Sequence, residues 1–212
     1  MYCNPQWIDE RLIECIAGHE RICAYFDMPV QHSAPAVRAA MGRPLPIARV
    51  YRLIETVREK VPSAAIRTSL ITGFPGETHR EFRHLVRFVE DMRFDKLGVF
   101  PFSPQQGTPA HTMRPRPRPA TAQKRAEEIM LLQQEISAQK LAALQGTIVS
   151  VMIDTPAHGQ TPATGRTQWD APEVDGMVYV RGTRAPAGSI VPVRITGTGD
   201  YDLYGVVEKN EG

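Results

Sequence analysis

Between Thr68 and Thr78 the chain reads Thr-Ser-Leu-Ile-Thr-Gly-Phe-Pro-Gly-Glu-Thr, and no other stretch limits the fold as sharply. A β-rich apolar run ends at Gly73, turns through Phe74-Pro75-Gly76 and enters a helix whose Thr78 and Glu81 have the spacing of a capping box. Phe82, Leu85, Val86, Val89 and Met92 then recur at i, i+3, i+4 and i+7, which gives that helix one apolar face. Strand, glycine turn and capped helix make a βα unit. Its loop is expected to expose backbone amides at the carboxyl end of a parallel strand, where α/β folds bind small ligands. A purely structural turn is the other reading of the same shape.

Strand–helix alternation extends to about residue 110. Residues 1–3 read as the end of a strand, 8–17 as an amphipathic helix and 24–30 as a strand broken by Pro29. Ile47–Lys60 reads as a helix with Val50, Leu53, Ile54 and Val57 inward and Pro62 as its stop. Ala65–Thr72 is the next strand, and 96–100 a further short one leading into residues 101–109. The alternation argues a parallel sheet with covering helices, in which three to four strands are too few to close a barrel.

The run Arg114-Pro-Arg-Pro-Arg-Pro119 is extended by its prolines and marks a break in composition. It is either a solvated linker or a strip of arginines that meets phosphate or an acidic surface. Residues 121–145 follow as a long helix, with Ile129, Leu132 and Ile136 as its stripe and Gly146 just past its end. From Thr147 the pattern is all-β: Val149, Val151 and Ile153 alternate, with further strands at 177–181, 189–196 and 201–208 and a weaker one near 162–167. Five short strands suggest a small Greek-key barrel of the kind that binds oligonucleotides or protein surfaces. The expected divisions are 1–113, 114–145 and 146–212.

Across 212 residues the formal charge is only +2, from 25 basic and 23 acidic side chains, so any nucleic-acid contact must come from a local patch. No apolar run approaches the roughly 18 residues of a membrane span, no signal peptide is evident, and a cytoplasmic protein without a membrane partner is expected. Cys3, Cys15 and Cys23 are odd in number and lack the close spacing of zinc or iron–sulfur ligands, so no metal site is expected from them. Cys15 shares a helical face with Ile8 and Leu12, and Cys23 opens a strand-like run, so both are expected as core thiols.

Three segments in order are similar to the later strands of radical S-adenosylmethionine methylthiotransferases: Asp27-Met-Pro-Val-Gln-His-Ser33, Arg67-Thr-Ser-Leu-Ile-Thr-Gly-Phe-Pro-Gly-Glu77 and Leu97-Gly-Val-Phe-Pro-Phe-Ser-Pro-Gln-Gln-Gly-Thr-Pro-Ala110. The helix carrying Leu131-Leu-Gln-Gln-Glu-Ile-Ser-Ala138, with a small β-domain after it, resembles their C-terminal TRAM arrangement. Gly165-Arg-Thr-Gln-Trp-Asp-Ala-Pro-Glu-Val-Asp-Gly-Met-Val-Tyr-Val180 and Tyr201-Asp-Leu203 resemble the branch that modifies a ribosomal protein. The resemblance implies an α/β fold: a partial radical-SAM (TIM-like) parallel barrel, then a five-stranded all-β TRAM barrel. It implies chemistry in which a [4Fe–4S] cluster cleaves S-adenosylmethionine and a methylthio group is installed on an aspartate of a small-subunit ribosomal protein. It also implies a Cys-x-x-x-Cys-x-x-Cys loop and a preceding cluster domain. Neither is in this sequence, so the chain is expected to begin near the end of the third barrel strand and to be inactive alone. The other readings are a tRNA methylthiotransferase and a non-catalytic ribosome- or RNA-binding module. Met41-Gly-Arg-Pro-Leu-Pro46 departs from the family's usual polar run.

By resemblance, Gly73, Phe74, Pro75, Gly76 and Glu77 stand beside the adenosyl group, Gln31, His32 and Ser33 line the same pocket, and Ser103 and Gln106 close it. Read as residues, Glu77 serves equally well as a charge at a helix N-terminus, and His32 as a hydrogen-bonded structural histidine. Arg67 enters a buried strand, so it needs a carboxylate from cofactor, substrate or a neighbouring strand. On the terminal barrel, Arg166, Arg181, Arg184 and Arg194 offer a basic face, and Trp169 and Tyr179 a stacking surface for RNA. Asp170, Glu173 and Asp175 beside Arg166 and Trp169 suit a basic ribosomal protein instead, or form an ordinary solvated surface.

Overall fold

In the computed structural model, which describes residues 3–208, the chain forms two units, Met1–Gln133 and Gln134–Gly212. The first holds α1 (Glu10–Gly18), β1 (Tyr25–Asp27), α2 (Pro35–Ala40), α3 (Ile47–Lys60), β2 (Ala65–Thr72), α4 (His79–Met92), β3 (Lys96–Pro101) and the short α5 (Pro109–Thr112). The strands form a parallel sheet in the order β1-β2-β3. Along β2 the alternation has a physical consequence: Ile66, Thr68, Leu70 and Thr72 are buried, whereas Arg67, Ser69 and Ile71 are half-buried. Val50, Ile54 and Val57 of α3 and Phe82, Leu85, Val86, Phe88, Val89 and Met92 of α4 supply the helical part of the core. Each such side chain contributes about 1.5–3 kcal/mol by leaving water.

Thr78 caps α4, its Oγ1 accepting the Arg80 amide at 3.2 Å and donating to the Glu81 carboxylate. That bond holds Glu81 below the usual carboxylate pKa range. Helix α1 begins two residues later than the pattern suggested, because Asp9 caps it by accepting the Leu12 amide at 2.9 Å. Ile13 is the inward residue of the helix and Cys15 is exposed; Cys23 is exposed too and Cys3 half-buried, so the expectation of core thiols is wrong. Strand β1 is shorter than expected because its ladder stops before Pro29, which has no amide to donate. Gln31 rejoins the sheet through a bridge to Leu70. The Cys3 amide donates to Asp27 O at 2.8 Å, while Met1 and Tyr2 of the expected first strand lie outside the described residues. Helices α2 and α5 have no counterpart among the sequence expectations.

Helix α6 (Pro119–Ala142) contains the boundary between the two units. Its first half buries Ala122, Ala126 and Ile129, and Gln133 Nε2 donates to Phe94 O at 2.9 Å. The second unit is a closed barrel in the order β4 (Ile148–Thr155), β5 (Ala163–Arg166), β6 (Val178–Arg181), β8 (Leu203–Val207), β7 (Ile190–Thr198). Inward residues of alternating strands, among them Val151, Ile153, Val178, Val180, Val193 and Ile195, fill it. The parallel pairing of β6 with β8 closes the ring. Gly165 lets β5 approach β4, since a Cβ there would lie 2.2 Å from Met152 O.

Candidate functional site

Because the three strands are parallel, their carboxyl ends share one edge. Gly73 takes φ +77° where β2 leaves the sheet, and a Cβ on it would lie 2.2 Å from the Ala122 Cβ of α6. The turn amides are committed within the chain: Gly73 N donates to Glu77 Oε2 at 2.9 Å, Gly76 N to Pro115 O at 2.9 Å and Glu77 N to Phe74 O at 3.0 Å. The expectation that these amides lie open to a ligand is therefore corrected. Phe74 is buried with Ala34 and Val37 and meets Phe102 edge-on at 5.0 Å. Pro75 is buried and Gly76 exposed.

Glu77 carries the charge chemistry of this edge. Its side chain is fully buried, with Arg125 Nη1 donating to Oε1 at 2.6 Å and to the Glu77 carbonyl at 3.1 Å. His32 Nε2 stands 3.3 Å from Glu77 Oε2, out of line for a hydrogen bond. The His32 Nδ1 accepts the Ala34 amide at 3.0 Å, which assigns the ring proton to Nε2, facing the carboxylate. Ser33 is also buried, its Oγ 2.8 Å from His84 Nδ1. Behind them Arg38 donates from Nη1 to Val30 O and His32 O, each at 2.9 Å. Burial, and then the nearby Arg43, lowers the Arg38 pKa. Sequence reasoning missed both arginines, although Arg125 lies on the Ala122–Ala126–Ile129 face of α6 and was legible there as a charge on an apolar stripe.

The side chains of His32, Ser33 and Glu77 thus tie the edge together from behind. What faces outward is Gly76, Ser103 and Gln106, with half-buried Gln31, held at φ +70°. Arg67 is not part of this edge. It pairs with Asp27 Oδ2 at 3.1 Å across β1 and β2, five residues before Thr72, or about 16 Å along the strand at ~3.3 Å per residue.

His84 gives this edge a pH dependence. Burial, then His32 and Arg87, push its pKa below 6.5, so the folded state binds that proton less readily than the unfolded chain. Its stability contribution is full above pH 6.5 and is lost as pH falls through the depressed folded value. In thermal melts from pH 7.5 down to about 5, His84→Gln should show a smaller acid-side fall in midpoint than the wild type. An identical fall would remove His84 from the account.

On the barrel, Arg166 pairs with Asp154 and Arg194 with Glu208 at 2.9 Å, so two of the four arginines of the expected basic face are neutralised locally. Asp170 Oδ2 accepts the Thr167 amide at 3.1 Å, and Asp175 Oδ2 the Ala171 amide at 2.8 Å. Trp169 packs on the barrel core. Glu173 and Val174 are exposed at the loop tip. Tyr179 stacks on Tyr204, with ring centroids 5.2 Å apart.

Comparison with known proteins resolves the family. Residues 1–89 match the Radical SAM superfamily and residues 146–207 the TRAM domain. The chain is 44% identical to the ribosomal protein uS12 methylthiotransferase RimO of Roseiflexus castenholzii, over 98% of this chain and 43% of the relative. The RimO of Synechococcus sp. (strain JA-3-3Ab) is 43% identical, over 100% of this chain and 46% of the relative. This chain belongs to the radical SAM methylthiotransferase family, in its RimO branch. The chain spans less than half the length of the relatives it matches. Among solved structures, Escherichia coli coproporphyrinogen III oxidase (HemN), a radical SAM enzyme, superposes with a TM-score of 0.55 at 19% identity, over 66% of this chain and 32% of that one, which supports the fold alone.

Radical SAM family membership implies S-adenosylmethionine and a [4Fe–4S] cluster. Among the described residues no three His, Cys, Asp or Glu side chains come together, and the cysteines stand apart, so these residues do not fit a cluster. The outer side of the strand-end edge carries Gly76 and the polar residues Gln31, Ser103 and Gln106.

Proposed function

We propose that this chain is the adenosyl-binding edge and TRAM portion of a methylthiotransferase that modifies an aspartate of a small-subunit ribosomal protein in the cytoplasm. The observation that carries this reading is the 44% identity to a RimO running through both units. Gln31, Gly76 and Ser103 would line the organic part of S-adenosylmethionine, while Gly73, Phe74 and Pro75, buried against the chain itself, hold the turn that presents them. His32, Ser33 and Glu77 act one layer behind, fixing the strand ends so that the edge does not reorganise when the cofactor arrives. The cluster chemistry must come from residues outside this set. The barrel supplies the substrate-facing surface through Arg166, Trp169, Asp170, Glu173 and Asp175. Because Asp170 and Asp175 accept backbone amides of the loop, the loop is braced while Glu173 at its tip presents negative charge to a basic partner.

A chimera tests this directly. The chain replaces the matching segment of the Roseiflexus castenholzii relative, and the purified product is assayed with the small-subunit ribosomal protein by mass spectrometry of its aspartyl peptide. Methylthiolation of that peptide is the expected outcome. A folded, cluster-loaded chimera that leaves it untouched, or that modifies tRNA instead, overturns the reading.

A further inference from the structure

From Lys96 to Ala126 there is no acidic residue, against Lys96, Arg114, Arg116, Arg118, Lys124 and Arg125. In a chain whose overall charge is +2 this is a sharp local excess. Of these cations, Arg125 is matched by Glu77. Arg114, Arg116, Arg118 and Lys124 have no carboxylate partner among the described residues. Arg114 donates only to carbonyls, at 3.3 Å to His111 O and 2.7 Å to Met113 O, which leaves its charge uncompensated. Arg116 is half-buried, and its Nη1 has no acceptor at all. Arg118 and Lys124 are exposed. A half-buried guanidinium without an acceptor is destabilising unless an anion supplies one.

The prolines between the arginines restrict φ and remove backbone donors, and residues 113–118 join neither helix nor sheet, with a bend at Arg114 and Pro115. It is also anchored: Pro115 O accepts the Gly76 amide at 2.9 Å, which fixes the strap on the turn of the strand-end edge. Two kinds of polyanion suit such a strip, an RNA backbone and an acidic protein face. The apolar surroundings decide between them. Protein interfaces need buried apolar or aromatic anchors at their centre; the exposed large hydrophobic side chain of this run is Phe100 near the end of β3, and none is exposed among the cations between Pro101 and Lys124. A strip of arginines and a lysine with no carboxylate partners and no apolar anchor among them matches a phosphodiester backbone, whose affinity comes from charge neutralisation and counterion release.

We propose that the Arg114–Arg116–Arg118 strap, with Lys124, is an RNA phosphate-backbone contact that holds RNA beside the Gly73–Glu77 turn. It does not depend on the methylthiotransferase reading, since a module without that activity would bind RNA through the same strap. It is distinct from the barrel surface, which begins at β4 (Ile148–Thr155).

The test uses the whole chain and a fluorescently labelled single-stranded RNA of mixed sequence, followed by anisotropy over a range of salt. Arg114→Gln/Arg116→Gln/Arg118→Gln should weaken binding ~10-fold or more at low salt and reduce the log–log salt slope by about 2, as expected for three lost phosphate contacts on a single strand. The three-lysine counterpart should keep most of both. Because Arg116 is half-buried, the exposed pair Arg114→Gln/Arg118→Gln is measured alongside, with an unchanged melting curve as its control, and should show about two-thirds of the slope loss. Unchanged affinity and slope in both glutamine variants overturn the proposal. So does a poly-aspartate peptide that outcompetes RNA for the strap, which would mark an acidic-protein site.

Discussion

Gly73→Ala should destabilise the first unit by roughly 3 kcal/mol, the sum of two separable effects. The backbone there has φ +77°, where an L side chain costs about 1–2 kcal/mol. A new Cβ would also fall 2.2 Å from the Cβ of Ala122 and 3.2 Å from its Cα, so β2 and α6 would have to separate. Overpacking of that kind costs about 1–3 kcal/mol. Ala122→Gly removes the obstructing carbon at a cost of about 1 kcal/mol for glycine in a helix. The double variant should therefore be more stable than the two single effects predict, with a coupling of at least ~1 kcal/mol by urea denaturation. Additive effects, or a Gly73→Ala protein as stable as the wild type, would show that the helix does not seat on this glycine. The outcome matters for function because the resemblance assigns Gly73 to close approach of the cofactor, while the packing assigns it to close approach of a helix.

Much of the architecture was legible because local and long-range signals agreed. Ile47–Lys60 and Ala65–Thr72 have the bounds that periodicity and Pro62 indicate. All five barrel strands fall where alternation between glycines places them, with β5, the weakest in pattern, one of the two shortest at four residues. One error was local, the start of α1; the others arose where a partner distant in sequence decides the outcome. The Ile8–Leu12–Cys15 stripe looked apolar, but the Asp9 cap starts α1 after Ile8, and Ile13 is the buried residue of the helix while Cys15 is exposed. The Gly73–Glu77 turn was recognised, yet nothing within it reveals that Pro115 O would take the Gly76 amide or that Arg125 would meet Glu77. Arg67 was read as a charge in need of a partner; its partner is Asp27, directly across the ladder. Sequence separations of about forty residues or more lie behind each of these pairings, and only the folded chain brings them together.

Glu77→Gln is the substitution with the largest expected effect, and it separates support from ligand binding. Glutamine preserves the shape and can still accept the Gly73 amide, but it removes the negative charge facing Arg125, whose side chain is only 12% exposed. Breaking one partner of a buried ion pair typically costs about 3–5 kcal/mol, because the remaining charge stays desolvated without compensation. Its amide would also point a donor at Arg125 Nη1, already a donor. Removing both charges in Glu77→Gln/Arg125→Met should recover a large part of that loss, since neither an orphaned cation nor a donor–donor clash remains. The paired readouts are urea denaturation and titration with S-adenosylmethionine followed by amide chemical shifts. A carboxylate acting from behind the edge lowers stability in the single variant, and cofactor response returns when stability returns in the double. If Glu77 instead touches the cofactor, Glu77→Gln stays as stable as the wild type and loses the response, and the double variant does not regain it. The 2.6 Å contact with Arg125 and the complete burial of the carboxylate favour the first outcome.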